Sequence, residues 1–216
     1  MKNSMGRDLS NKCKLCRRAG EKLFLKGDRC GTPKCAMIRK PYAPGVHGKK
    51  GKRPQSEFGQ QMAMKQRAKR IYGIMENQFK KYFSEVRDKP GVVGDLLVQK
   101  LEMRFDNVIF RAGFAPSRQA ARQLVSHSLF LINGKRVNIP SREVKVGDII
   151  SVKPSKLQKE YFKQLAINLK EKKGETSSSW LEVVPENFSI KIKAKPTKDN
   201  LDLHIDAQAI VEFYSR

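Results

Sequence analysis

Residues 117–152 read SRQAARQLVSHSLFLINGKRVNIPSREVKVGDIISV, and this stretch decides the fold. Pro116 disfavours helix on its N-terminal side, and the Ser117 hydroxyl can accept from an amide that a helix start leaves unpaired, so a helix is predicted from here. At about 100° per residue Ala120, Ala121, Leu124 and Val125 share one side, while Arg118, Gln119, Arg122, Gln123, Ser126 and His127 form a continuous polar face. Phe130-Leu131-Ile132 and Lys135-Arg136-Val137 then flank Asn133-Gly134, the dipeptide that best tolerates the positive φ angles of a two-residue type I′ hairpin. A turn at Val146-Gly147-Asp148 and an apolar run to Val152 add a further strand. The stretch thus predicts an α+β unit in which a helix with one polar face leads into an antiparallel sheet.

Working outward, a short helix is expected over Leu96–Leu101, then a stretch from Arg104 to Arg111 that stops at Gly113. C-terminal to the module, Ser155–Lys173 is predicted helical with Leu157, Tyr161, Leu165 and Leu169 on its inner face. Gly174–Ser179 reads as a surface loop. Trp180–Val184 and Phe188–Lys193 read as strands, Asp199, Asp202 and Asp206 form a local acidic patch, and Ile210–Tyr214 closes as a short strand or docked tail. N-terminal to it, Ser56 caps a helical pattern whose inner stripe is Met64, Ala68, Ile71, Met75, Phe79, Tyr82 and Val86. Lys65, Arg67, Lys69, Arg70, Lys80 and Lys81 are expected on the other side. Gly73 interrupts this run, so two helices or one bent helix are predicted.

Charge narrows the function. The 216 residues carry 45 Lys+Arg against 21 Asp+Glu, a net +24, and a field of this sign draws in polyanions. Residues 1–90 hold 24 of the basic and 7 of the acidic side chains, so the N-terminal part is the electrostatic footprint. No run of apolar residues is long enough to span a bilayer, and MKNSMGRDLSNK lacks the apolar core of a signal peptide, which predicts a cytoplasmic protein without membrane contact.

Cys13, Cys16, Cys30 and Cys35 form C-x2-C-x13-C-x4-C, two close pairs on separate turns that suit one tetrahedral zinc ion. An iron–sulfur cluster is the rival metal centre. Four thiolates would leave no open coordination position, so the predicted site is structural. Lys14, Arg17, Arg18, Lys22 and Lys34 around it would offset the tetrathiolate charge and leave excess for phosphates. The following segment, Arg39 to Pro54, has too many prolines and glycines for helix and no apolar periodicity, so it is predicted to be a basic arm. Its Tyr42 could stack on an unpaired base. The glycines at 45 and 51 with Lys52 do not make a nucleotide-phosphate loop, because the spacing is wrong and Arg53 stands where Ser or Thr is needed.

Ordered motifs along the chain then resemble one family. They are Met5-Gly6-Arg7, the four-cysteine knuckle followed by Glu21–Gly27, Arg39-Lys40-Pro41-Tyr42 with Pro44–Gly48, and Arg70-Ile71-Tyr72-Gly73 with Gln78-Phe79. Asp106-Asn107-Val108, Ala121–His127 and the ending Ile210–Arg216 complete the set. Together they resemble the bacterial small-subunit ribosomal protein S-four family, whose RNA-binding module corresponds to residues 104–154. The resemblance implies a primary binder of small-subunit ribosomal RNA that nucleates assembly and lies near the mRNA entry path. It also implies contact with neighbouring proteins, protein S-five among them, across an interface that affects translational accuracy.

Carried onto this sequence, it implies a zinc-knuckle and basic arm over 1–54 and a small helical domain over 55–95, onto which the tail 199–216 can pack. An RNA-binding domain over 96–198 follows, with a C-terminal β tail. Lys49, Lys50, Lys52 and Arg53 match the basic segment near the entry path, and Arg118, Arg122, Gln123, His127, Asn133 and Lys135 match the RNA-facing side of the module. With Arg17, Arg18, Lys40, Tyr42, His47, Lys69, Arg70 and Ser117 these make up the candidate RNA contacts. The same module also occurs on RNA-modifying enzymes, but the remaining residues offer no cofactor loop, and His47, His127 and His204 have neither metal nor triad spacing. A zinc-dependent DNA regulator is the other alternative, and it would need a duplex-reading element that the dispersed arm and hairpin do not suggest. No catalytic residue and no small-molecule substrate are expected.

Overall fold

The structure, a computed structural model, describes residues 10–51, 54–171, 178–197 and 205–216. In chain order its helices and strands begin with α1 (Lys12–Ala19), α2 (Ala36–Arg39), α3 (Glu57–Tyr72), α4 (Glu76–Arg87), α5 (Val93–Glu102), α6 (Phe105–Arg111) and α7 (Arg118–Ser126). Strands β1 (Phe130–Ile132), β2 (Lys135–Arg136) and β3 (Ile149–Val152) follow, then helix α8 (Glu160–Glu171), strands β4 (Leu181–Val184) and β5 (Ser189–Ile192), and helix α9 (Ala207–Ser215). Contacts divide the chain into two compact units. One takes the chain through Val98 together with the C-terminal segment, and the other begins at Gln99 and contains the sheet. No helix among the described residues is long and apolar enough to cross a membrane.

In the first unit the Ser56 hydroxyl accepts from the Gly59 amide and starts α3, as the sequence predicts. Gly73, at φ 64°, ends it in the left-handed conformation that glycine adopts without strain, so the run is two helices. Ala68, Ile71, Phe79, Tyr82 and Val86 are buried as expected, whereas Met75 is exposed. Two expectations are corrected. Lys65 is buried, not on the basic outer face. Its ammonium donates to Glu76 Oε1 at 2.9 Å and lies 4.1 Å from the centre of the Phe213 ring. Ile210–Tyr214 is a docked helical tail, so the strand alternative falls. Asp206 caps α9 by accepting from Ala209 N–H at 3.1 Å, and the spacing of buried Ala207 and Ile210 with half-buried Tyr214 gives the helix one inner side.

Helix α9 docks on α3. Phe213 stacks on Phe58 at 5.4 Å between ring centres, Tyr214 stacks on Phe83 at 4.7 Å, and Gln61 donates to Glu212 Oε2 at 3.0 Å. The Tyr214 hydroxyl donates to Glu76 Oε1 at 2.7 Å. Burial opposes ionisation of Glu76, but hydrogen bonds from Lys69, Lys65 and Tyr214 outweigh it and hold its carboxyl at about 2. Burial, with the Glu76 carboxylate as acceptor and charge, pushes the Tyr214 phenol well above its ordinary value.

In the second unit the five strands form one antiparallel sheet in the order β2-β1-β3-β5-β4. Asn133 and Gly134 have φ of 49° and 76°, the paired left-handed values of the predicted type I′ turn, and Ile132 opposes Lys135 across it. Phe130, Ile132, Ile150, Val152, Ile190 and Ile192 point from the sheet into a core shared with Ala121, Val125, Phe105, Phe114 and Trp180. Phe130 is central, packing edge-on against Phe105 and Phe162 and stacking with Phe114.

Helix α8 starts at Glu160, not Ser155, because Pro154–Lys156 forms a separate 3-10 turn. Its buried side is accordingly Phe162 and Leu165, and the predicted Leu157 is exposed. Tyr161 donates its hydroxyl to the Phe114 carbonyl at 2.6 Å, and burial raises its phenol above the usual value. The predicted loop over Gly174–Ser179 and the acidic patch at Asp199 and Asp202 fall largely or wholly outside the described residues.

Candidate nucleic-acid interface

The most elaborate polar construction in the second unit lies beneath α7. Glu102, Arg104, Asp106, Asn107 and Arg111 are all buried, in a stretch that also contains Met103, Phe105, Val108 and Ile109. Bare charges cannot stay in such a place, and here they are paired. Arg111 donates to both Glu102 oxygens at 2.9 and 3.0 Å, and Arg104 donates to both Asp106 oxygens at 3.0 and 2.7 Å. Asn107 adds its amide to Glu102 at 2.7 Å. A loop from the far side of the hairpin seals the cluster: the Phe105 and Asp106 amides donate to the carbonyls of Arg142 and Pro140, so the start of α6 is capped by backbone.

Two arginines of the predicted polar face reach this cluster from α7. Arg118 donates through Nε to Asn107 Oδ1 at 2.7 Å, lies over the Phe110 ring at 4.5 Å, and comes within 3.8 Å of Glu102. Arg122 lies 3.6 Å from Asp106 Oδ2. Their side chains are 13% and 26% exposed, so each is held from beneath and only partly open to solvent. Ser117 is the α7 cap, accepting from Ala120 N–H at 3.2 Å, and is buried. Gln123, on the same helix, and His127, which follows its last residue, are exposed.

The hairpin beside them is braced. Asn133 donates to Asp148 Oδ1 at 2.8 Å and accepts from the Ile149 amide at 2.9 Å, which occupies both ends of its side-chain amide. Lys135 is exposed at the tip of β2. Sequence reasoning missed the five buried polar residues, although charges set within the most apolar part of the chain were the available signal.

In the first unit Arg17, Tyr42 and Lys49 come together. Arg17 donates to the carbonyls of Tyr42 and Ala43 at 2.9 and 3.2 Å, and its guanidinium lies 4.8 Å from the centre of the Tyr42 ring. Lys49 lies 5.7 Å from that ring. Tyr42 thus anchors the arm through two cations. Arg18, Lys40, His47, Lys49 and Lys50 are exposed, Arg70 is half-buried, and Lys52 and Arg53 lie outside the described residues. Lys69 is engaged by Glu76 at 2.6 Å.

The four cysteines are free thiols lining one cavity of about 20 Å³ with Lys26, Arg29, Ala36 and Met37. Burial pushes the Cys16 thiol up, against a hydrogen bond from the Leu23 backbone, and the charges of Cys30, Cys13 and Cys35 push it further. The Lys26 amide donates to Cys30 Sγ at 3.4 Å. The donor set therefore suits a soft metal, with N–H groups directed at two sulfurs, although among the described residues no group of three or more potential ligands is arranged to hold an ion.

Comparison with known proteins places these features in a family. The model described as "Ribosomal protein S4/S9 N-terminal domain" matches residues 7–102, and that described as "S4 domain" matches residues 103–150. The chain is 48% identical over 212 residues to the small ribosomal subunit protein uS4A of Clostridium novyi (strain NT), covering 98% of this chain and all of that one. It is 47% identical to the uS4 protein of Pelotomaculum thermopropionicum over the same span and coverage, and 47% identical over 204 residues to that of Heliobacterium modesticaldum.

Proposed function

This chain belongs to the ribosomal protein S4 family, and from that premise we propose that it is a structural protein of the small ribosomal subunit that grips ribosomal RNA. The observation that carries the reading is the polar face of α7, where Arg118 and Arg122 are held on buried acceptors with their side chains partly exposed. A planar, charged donor fixed in this way suits phosphate oxygens and exposed base edges, and a net charge of +24 draws the polyanion in. The protein is a binder, not an enzyme, and works on the ribosome in the cytoplasm.

Within the subunit, its early binding nucleates assembly. The exposed lysines at 49 and 50, with Lys52 and Arg53, border the mRNA entry path, and a contact with protein S-five tunes decoding accuracy. The four cysteines hold one zinc ion, which would tie α1 to the start of α2 and do no chemistry. That all four cysteines line one cavity supports that assignment. Native mass measurement of fresh, reduced protein should show one bound ion, lost together with the Cys13→Ala and Cys16→Ala substitutions; a metal-free mass would overturn the zinc assignment.

Co-sedimentation with small subunits through a high-salt wash tests the main reading. Retention on the subunit, with tight binding to its isolated RNA, is expected. Equal affinity for an unrelated RNA of the same length would refute a specific ribosomal role.

A further inference from the structure

We propose that Glu102 and Asp106 are positioning residues for RNA binding, so that removing these two negative charges weakens the hold on a polyanion. The inference rests on reading the α7 face as an RNA contact. Two parallel relays run outward from the core. In one, buried Arg111 grips Glu102, which together with Asn107 holds Arg118; in the other, buried Arg104 grips Asp106, which lies under Arg122.

Stability does not account for such a device. A buried ion pair gains little over apolar side chains of the same volume, and this unit already has a large aromatic core. Its effect is on the outer arginines. A free arginine side chain loses much rotamer freedom when it fixes on a phosphate, whereas one already held by a carboxylate has lost that freedom in folding. The inner arginine lets the carboxylate remain charged while buried, and each relay keeps a net charge of +1. The face therefore presents two pre-set cations.

The sign of the effect separates this from simple electrostatics. Removing an acid from a polyanion-binding protein should tighten binding, and Glu186→Gln, at an exposed position in the β4–β5 turn, should leave it unchanged or tighter. Asp106→Asn is expected to weaken binding to a small-subunit ribosomal RNA fragment by about three- to tenfold, without changing the slope of affinity against salt. The loss should vanish in an Arg122→Ala background, because the carboxylate acts through that arginine.

Circular dichroism and thermal melting identify variants that remain folded. Should Asp106→Asn alone unfold the unit, the pair Arg104→Met with Asp106→Asn leaves no buried charge in that relay and carries the same measurement. A folded variant that binds as tightly as the unaltered chain, or one that loses the same factor in the Arg122→Ala background, overturns the proposal. Failure of the unaltered chain to bind the RNA would instead remove the reading beneath it.

Discussion

Glu76 concentrates several opposing forces in one side chain. It receives hydrogen bonds from two ammonium groups and a phenol, and these hold its carboxyl at about 2, against the ordinary 4.5. The folded state therefore keeps the charge more tightly than the unfolded chain, so the stabilisation is complete above pH 4.5 and is lost as pH falls toward 2. The denaturant midpoint should drop more steeply between pH 5 and pH 2 in the natural chain than in Glu76→Gln; parallel profiles would mean that the carboxylate contributes nothing. Because Glu76 is 41% exposed, added salt should shrink the difference. None of this was readable from residue type. Lys65 has the right spacing for a solvated basic face, and only the arrival of Phe213 and Tyr214 from the other end of the chain makes its position an interior one. Asn133 shows the converse: its place in the Asn-Gly turn was legible, but the acceptor that occupies its amide, Asp148, lies 15 residues away.

Among elements, those with strong local signals matched and those defined by distant packing did not. The α7 cap, its buried side and the type I′ turn follow from short-range chemistry, and all three appear as read. Helix α8 was started too early. Leu165 is buried and Leu169 packs on the core as read, but the 3-10 turn over Pro154–Lys156 breaks the run, so Leu157 is left exposed and Phe162 takes the buried place in the first turn. The two readings of the start make different predictions. Phe162→Ala should cost about 3–5 kcal/mol by leaving a cavity against Phe130, while Leu157→Ala should change stability by less than about 0.5 kcal/mol, as read by urea unfolding. For Ile210–Tyr214 the docked-tail alternative holds and the strand fails: Ile210, Val211, Phe213 and Tyr214 are strand-favouring types, but the aspartate cap and the packing of Phe213 on Phe58 overrule that preference.

For the whole molecule, charge was the most legible property, and its distribution bears on affinity. The exposed Lys49 and Lys50 belong to the part of the chain richest in basic residues. Lys49→Ala and Lys50→Ala should each lower the slope of log affinity against log salt by roughly 1 if each lysine meets a phosphate, and should weaken all RNAs alike. An unchanged slope would show that the arm does not touch the backbone. The site itself was half legible: the α7 polar face could be drawn on a helical wheel, but the buried acids that hold its arginines come from two other helices, the end of α5 and the start of α6.

The docking of α9 also sets an order of events during synthesis. The sheet-bearing unit is a continuous stretch of chain, whereas the other unit needs Phe213 and Tyr214 to cover Lys65 and Phe83. The N-terminal unit is thus made first and finished last. Until α9 has been translated, Glu76 lacks its phenol donor and Phe58 and Phe83 lack their aromatic partners, so this unit closes only after the sheet-bearing unit has been made.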